Sequence, residues 1–180
     1  VDLEDMFTFI GKPAAVINRK QFPNEQFWAV ANVNLWSAIV EEELANAPKI
    51  TLTPNLNYDS ETRTMTLEVT VKADENLSGE QRLTVGITES HILDAQKNVG
   101  QIIDDYEHNH VLRDMLTNVS GDVIGTDMTA GQVINKSYSY TLPAEDGTWI
   151  DENIELLTFV TSHQGTEQEV LQASGEYLVK

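Results

Sequence analysis

The chain of 180 residues contains no cysteine. That excludes disulfides, thiolate zinc sites and thiol catalysis within these residues. Basic residues are scarce, with 11 Lys and Arg against 29 Asp and Glu, a formal charge of −18. Nucleic acid and anionic lipid are therefore poor partners for the chain as a whole. No uninterrupted apolar run reaches about 18 residues, so no helix is expected to span a membrane. The opening VDLEDMFTFIGKP is acidic and lacks an initiator Met and a basic n-region. It does not read as a signal peptide but as a mature or cut start, compatible with a cleaved secretory signal or a lost lipid anchor. Internal repeats and low-complexity tracts are missing too. What is present is 41% hydrophobic and 22% charged residues in about one domain's length, enough to bury a core.

The apolar period changes near Pro48. Before it, Phe27, Val30, Ala31, Leu35 and Ile39 recur at helical intervals. Trp28, Trp36, Val40 and Leu44 widen the stripe, predicting one long helix over 27–44 with Asn24 as N-cap. Glu41, Glu42 and Glu43 oppose its dipole. Upstream, Ala14 to Asn18 reads as a short buried strand.

After Pro48 the period becomes two. Met65, Leu67, Val69, Val71 and Ala73 alternate with Thr64, Thr66, Glu68, Thr70 and Lys72, the clearest half-buried strand in the chain. Ile50 and Leu52 mark a strand before it, and Leu83, Val85 and Ile87 one after it. Others are predicted over 106–115, 134–142, 154–162 and 169–178. Turn residues at 59–62, 75–79, Asp146-Gly147 and Gln164-Gly165 punctuate the set. Seven short strands predict a mainly β fold: an antiparallel β-sandwich of immunoglobulin or fibronectin type, preceded by a short strand and a long helix. Residues 1–48 form the leading strand–helix segment and 49–180 the sandwich. Val111, Leu112, Met115 and Leu116 also suit a helix face, and the paired Cys of true immunoglobulin domains is missing.

The densest polar cluster runs from Asp104 to Asp114, DDYEHNHVLRD. On one continuous strand, Tyr106, His108, His110 and Leu112 share a face. Two imidazoles at i, i+2 can reach one divalent metal ion. Glu89 and His91, one strand earlier at the same spacing, could complete a site of Glu89, His91, His108 and His110. The competing reading is a polar strand face hydrogen-bonded to its neighbours. Arg113 stands opposite those imidazoles, either bracing a loop through an ion pair or recognising a ligand carboxylate or phosphate. Trp149, with Tyr138 and Tyr140, could stack a sugar or peptide, or plug the end of the core. No G-x-S-x-G elbow, P-loop or G-x-G-x-x-G is present, and no carboxylate pair stands out for acid–base chemistry. No catalytic residue and no cofactor is predicted. Gly121 and Gly125 flank Val123-Ile124, which reads as a hairpin or short edge strand. Three Asn-x-Ser tripeptides begin at Asn76, Asn118 and Asn135 and matter only in a eukaryotic secretory context.

DDYEHNHVLRDMLT followed by Gly121-Asp122 resembles the Tyr-x-His-Asn-His-x-x-Arg signature of the outer-membrane-protein-twenty-eight-related family. Those are cell-envelope proteins of Gram-negative anaerobes, often lipoproteins. The order of elements is similar from about Gly11 onward: a Trp-containing helix ending in Ala-Pro, a Thr-alternating strand, the ITESHI segment, Gln96, the His motif, then a Trp. The resemblance implies an outer-membrane-associated location and a β-sandwich behind a thioredoxin-like half, of which GKPAAVINR and 24–44 look like the last strand and helix. It supplies no catalytic or ligand residue. It also implies membrane association only through an N-terminal anchor outside this chain, and contacts with other envelope proteins or a second copy.

Two readings of function stand side by side. One is a non-enzymatic envelope module for binding or assembly. The other is a metal-dependent accessory or enzymatic domain built on the Glu and His cluster, or the C-terminal part of a thiol oxidoreductase whose active half lies elsewhere.

Overall fold

Alternation sets the architecture. In the computed structural model, which describes residues 6–8, 11–23, 25–144 and 149–179, the Thr-alternating segment is a strand over Thr64–Ala73. Met65, Leu67, Val69, Val71 and Ala73 are all at most 1% exposed. Asn24 and the Asp146-Gly147 turn lie outside the described residues. With the period fixed at two, every second side chain enters the core and the intervening Thr, Glu and Lys meet water.

Twelve strands and one α-helix order the described chain. Strands β1 (Ala15–Val16) and β2 (Ala29–Val30) precede α1 (Trp36–Leu44). Then come β3 (Ile50–Asp59), β4 (Thr64–Ala73), β5 (Glu80–Glu89), β6 (Ile92–Asn98) and β7 (Gln101–His108). They are followed by β8 (Val111–Met115), β9 (Asp122–Thr126), β10 (Val133–Thr141), β11 (Ile154–Gln164) and β12 (Glu167–Tyr177).

One sheet has the order β10-β4-β3, all antiparallel. Pro54 sits in β3, an edge strand, where a missing N–H is tolerated. The second sheet runs β12-β11-β5, and the far side of β5 is shared by β8 at Gly86–Glu89 and β9 at Glu80–Leu83. Leu83, Val85 and Ile87 from β5 and Leu156 and Val160 from β11 join the β4 row in one hydrophobic core. Tyr58, Tyr138, Tyr140 and Trp149 pack on its margin. The expected β-sandwich is therefore present, and Val123-Ile124 lies in a short edge strand as predicted.

Two expectations need correction. The helix is shorter than its apolar stripe. Ala29 and Val30 pair with Val16 and Ala15 as a two-stranded sheet. Asn32 then caps a 3₁₀ turn at Val33–Leu35 by accepting from the Asn34 N–H at 3.2 Å. Helix α1 begins only at Trp36, so Trp28 and Trp36 do not stack on one helix. The indole N–H of Trp36 instead donates to the Val30 carbonyl at 2.9 Å, and Trp28 meets Phe7 at 5.8 Å between ring centroids. The predicted strand over 106–115 is two strands, β7 and β8, broken at Asn109-His110.

The leading segment docks on the outside of the second sheet. The Asn18 carbonyl accepts the Val170 N–H of β12 at 2.9 Å. Arg19 is 8% exposed and lies 4.9 Å above the Phe159 ring of β11. Glu43 of α1 takes both Asn18 Nδ2 and Lys20 Nζ, at 2.8 and 2.9 Å, tying the helix to the turn that follows β1.

Candidate functional site: a clamped sandwich end and a projecting ribbon

Strands β5 and β8 pair up to Glu89 and Val111, and β6 and β7 resume pairing at Ile92 and His108. The two hairpin legs thus form a long ribbon with a kink between Glu89 and Ile92 on one leg and between His108 and Val111 on the other. Both legs turn through a histidine in the left-handed region, His91 at φ +60° and His110 at φ +53°. Such a conformation is uncommon outside glycine and is held here by the surrounding bonds. The His91 N–H donates to Asn109 Oδ1 at 3.1 Å, and the His110 N–H to Ser90 Oγ at 3.1 Å. The Ser90 N–H donates to the Asn153 carbonyl at 3.0 Å, fixing the kink to the segment that precedes β11. The His-Asn-His motif is the root of an arm.

Below the kink lies a polar clamp. Glu89 is 2% exposed. Its Oε1 accepts the Ile150 N–H at 2.9 Å, and its Oε2 lies 3.2 Å from Arg113 Nε. The Arg113 guanidinium stands 4.7 Å over the Trp149 ring, a cation–π contact. From the other sheet, Arg63 Nη2 donates to the Trp149 carbonyl at 3.1 Å and to Asp151 Oδ1 at 2.6 Å. The Tyr58 hydroxyl also donates to Asp151. Burial, reinforced by that carboxylate, pushes the Tyr58 phenol up to about 12. Residues from β3, the β3–β4 turn, β5 and β8 thereby hold the segment 149–151 against both layers.

The four residues of the expected metal site, Glu89, His91, His108 and His110, are thus dispersed, and the two ligand candidates, Arg113 and Trp149, join one of them. Glu89, Arg113 and Trp149 come together. His91 pairs with Glu107, Nδ1 to Oε1 at 2.8 Å, and this bond, helped by Asn109, holds the Glu107 carboxyl below its usual range. His110 faces Glu155 of β11 at 3.5 Å. His108 lies edge-on to Tyr106 at 4.9 Å. Among the described residues, no three His, Asp or Glu side chains converge as a metal site would require. The sequence reading missed Arg63, Tyr58 and Asp151. A signal was there: in so acidic a chain, a lone arginine straight after a turn invites the question of which carboxylate it serves.

Past the kink, β6 and β7 pair with each other and, among the described residues, with no other strand. The tip is a two-residue turn with Val99 at φ +37° and Gly100 at φ +86°. Both central residues in the left-handed region match the twist of the flanking strands, and glycine supplies one of them without a Cβ clash. Val99 is 99% exposed, Leu93 68%, Ile102 67% and Tyr106 42%. Elsewhere, a groove of about 630 Å³ between the end of α1 and β12 is lined by Leu44, Pro48, Glu169 and Leu171, and none of the six candidate site residues lines it.

The profile of the outer membrane protein Omp28 family matches residues 2–176. The chain belongs to this family. Omp28 membership makes it a cell-envelope protein associated with the outer membrane, as the resemblance implied. Among solved structures, it is similar to HBP35 of Porphyromonas gingivalis at 17% identity and a TM-score of 0.77, covering 99% of this chain and 56% of that one. The chain thus spans little more than half of HBP35. It is also similar to a domain of the outer membrane lipoprotein Omp28 from Porphyromonas gingivalis, at 17% identity and a TM-score of 0.49, over 74% of this chain and 90% of that one. A third similarity, to the sporulation control protein Spo0M from Bacillus subtilis, has 10% identity and a TM-score of 0.44, over 73% of this chain and 49% of that one. No curated protein matches the chain. Among the described residues, no helix of this Omp28 family member is long and apolar enough to cross a membrane.

Proposed function

We propose that this chain is a non-enzymatic binding or assembly module of the cell envelope, and that the β6–β7 ribbon is its working element. The observation that carries this reading is the exposure of Leu93, Val99, Ile102 and Tyr106 on an arm that no other strand supports among the described residues. A two-stranded ribbon is at best marginally stable alone in water. Here a bonded root and a buried ionic clamp hold one outside the sandwich, which favours a role in contact over a role in packing.

In the same reading, residues 49–180 are an immunoglobulin-like sandwich, supported by the order β3-β4-β10 in one layer and β5-β11-β12 in the other. Residues 1–48 are the closing strand and helix of a thioredoxin-like half, and membrane attachment runs through an anchor upstream.

Site-specific photo-cross-linking in intact envelopes tests the proposal. A photoreactive residue replacing Leu93 or Ile102 is expected to give discrete cross-linked species that are absent with the same residue at Thr66, on the exposed face of β4. Equal yields at all three sites, or none at the ribbon, would refute it.

A further inference from the structure

The ribbon has two open edges, and they differ. The β7 edge carries Asp104, Asp105 and Glu107, all exposed, with Tyr106 between Asp105 and Glu107 and Ile102 two residues before Asp104. The pairing register shifts where Asp104 and Asp105 lie opposite Ala95 alone, between the Asp94–Tyr106 and Gln96–Ile103 pairs. On β6 the charges are one acid and one base, Asp94 and Lys97. Some edge groups of β6 are engaged from within: the Ala95 N–H donates to Asp94 Oδ1 at 2.7 Å, and the Lys97 carbonyl accepts from Gln96 Nε2 at 3.1 Å.

We propose that the β7 edge accepts an extended segment of a partner protein in which Lys or Arg alternates with apolar residues, added as a third strand. This rests on the module reading above and names the partner's chemistry. An open strand edge offers main-chain donors and acceptors to any extended peptide, and side chains decide which peptide is taken. Carboxylates on both sides of Tyr106, with Ile102 just before them, select a strand that offers both cations and apolar groups. A second copy is disfavoured on the same ground. Antiparallel pairing of β7 with itself sets the three carboxylates against three more, on chains that each carry a charge of −18.

A fluorescein-labelled Lys-Val-Lys-Val-Lys-Val-Lys peptide provides the probe, read by anisotropy against the full chain at about 50 and about 150 mM NaCl. Asp104→Lys with Asp105→Lys should weaken binding by about tenfold or more. Glu41→Lys with Glu42→Lys, the same charge change on exposed α1 positions, should weaken it less than about twofold. A probe N-methylated at its valines keeps its charge and loses main-chain donors, and it should also bind about tenfold more weakly. Circular dichroism of each variant confirms an intact sandwich. The proposal is overturned if both double variants lose affinity equally, if the N-methylated probe binds as well as the parent, or if the parent fails to bind at about 1 mM. An ultracentrifugation dimer abolished by the ribbon variant would overturn it in favour of self-pairing. Ribbon-specific cross-links without peptide binding would sink this inference and leave the module reading standing.

Discussion

Removing Glu89 isolates what the clamp contributes. In Glu89→Ala, the Ile150 N–H loses a charged acceptor, a loss of about 1.5–3 kcal/mol. The ion pair of Arg113 with Glu89 is lost as well. Breaking a buried pair costs about 3–5 kcal/mol, but the Arg113 side chain is 22% exposed and can recover some hydration, which places the total near the lower end, about 3 kcal/mol. For a chain of this size that lowers the unfolding midpoint by about 6–12 °C. Arg113→Met should be worse at neutral pH, about 4 kcal/mol, because it strands a carboxylate that is 2% exposed. Glu89→Gln with Arg113→Met removes both charges and keeps an acceptor for Ile150, recovering about 2 kcal/mol relative to the sum of the single losses. Urea unfolding, followed by circular dichroism and by tryptophan fluorescence, measures each term. A coupling energy below about 0.5 kcal/mol would refute the reasoning, since the two groups would then act independently.

Other consequences can be checked with the same assays. Val69→Asp buries a charge in the β4 core row and should unfold the sandwich or cost more than about 3 kcal/mol, whereas Thr70→Asp, on the opposite face, should cost less than about 1 kcal/mol; similar losses would contradict the alternation. Tyr58, Tyr138 and Tyr140 are all pushed up to about 12, mainly by burial. With folded values above the unfolded one, stability should hold up to about pH 10 and fall between about pH 10 and pH 12, and Tyr58→Phe should flatten that fall; an unchanged alkaline profile in the variant would count against it. Deleting residues 1–47 should leave a cooperatively unfolding sandwich of lower solubility, because Phe159 and the outer side of β12 lose their cover; loss of cooperativity would make the leading segment part of the core.

How far the sequence could be read depended on range. The β4 row needed only its neighbours, so Met65 to Ala73 announced themselves. The stripe from Phe27 to Ile39 misled because Ala29 and Val30 fit a helical interval and a strand equally well, and only their pairing with Val16 and Ala15 decides between the two. The break between β7 and β8 carries no Gly or Pro. It is made by Asn109 and His110 bonding across to His91 and Ser90, partners one leg away. The candidate site followed the same logic. Arg113 and Trp149 were visible as unusual residues, and Glu89 as a candidate ligand. That they serve one another depends on the β5–β8 register and on the descent of 149–151 onto the sandwich end, which local spacing does not encode.

The bond from Val170 to Asn18 joins residues about 150 positions apart, nearly the whole length of the chain. The Asn18 carbonyl therefore finds its donor only once β12 has been made, whereas Phe7 and Trp28 meet within the leading segment itself. Loss of β12 would leave the Asn18 carbonyl without its donor and Arg19 on Phe159 as a tie between the leading segment and the sheet.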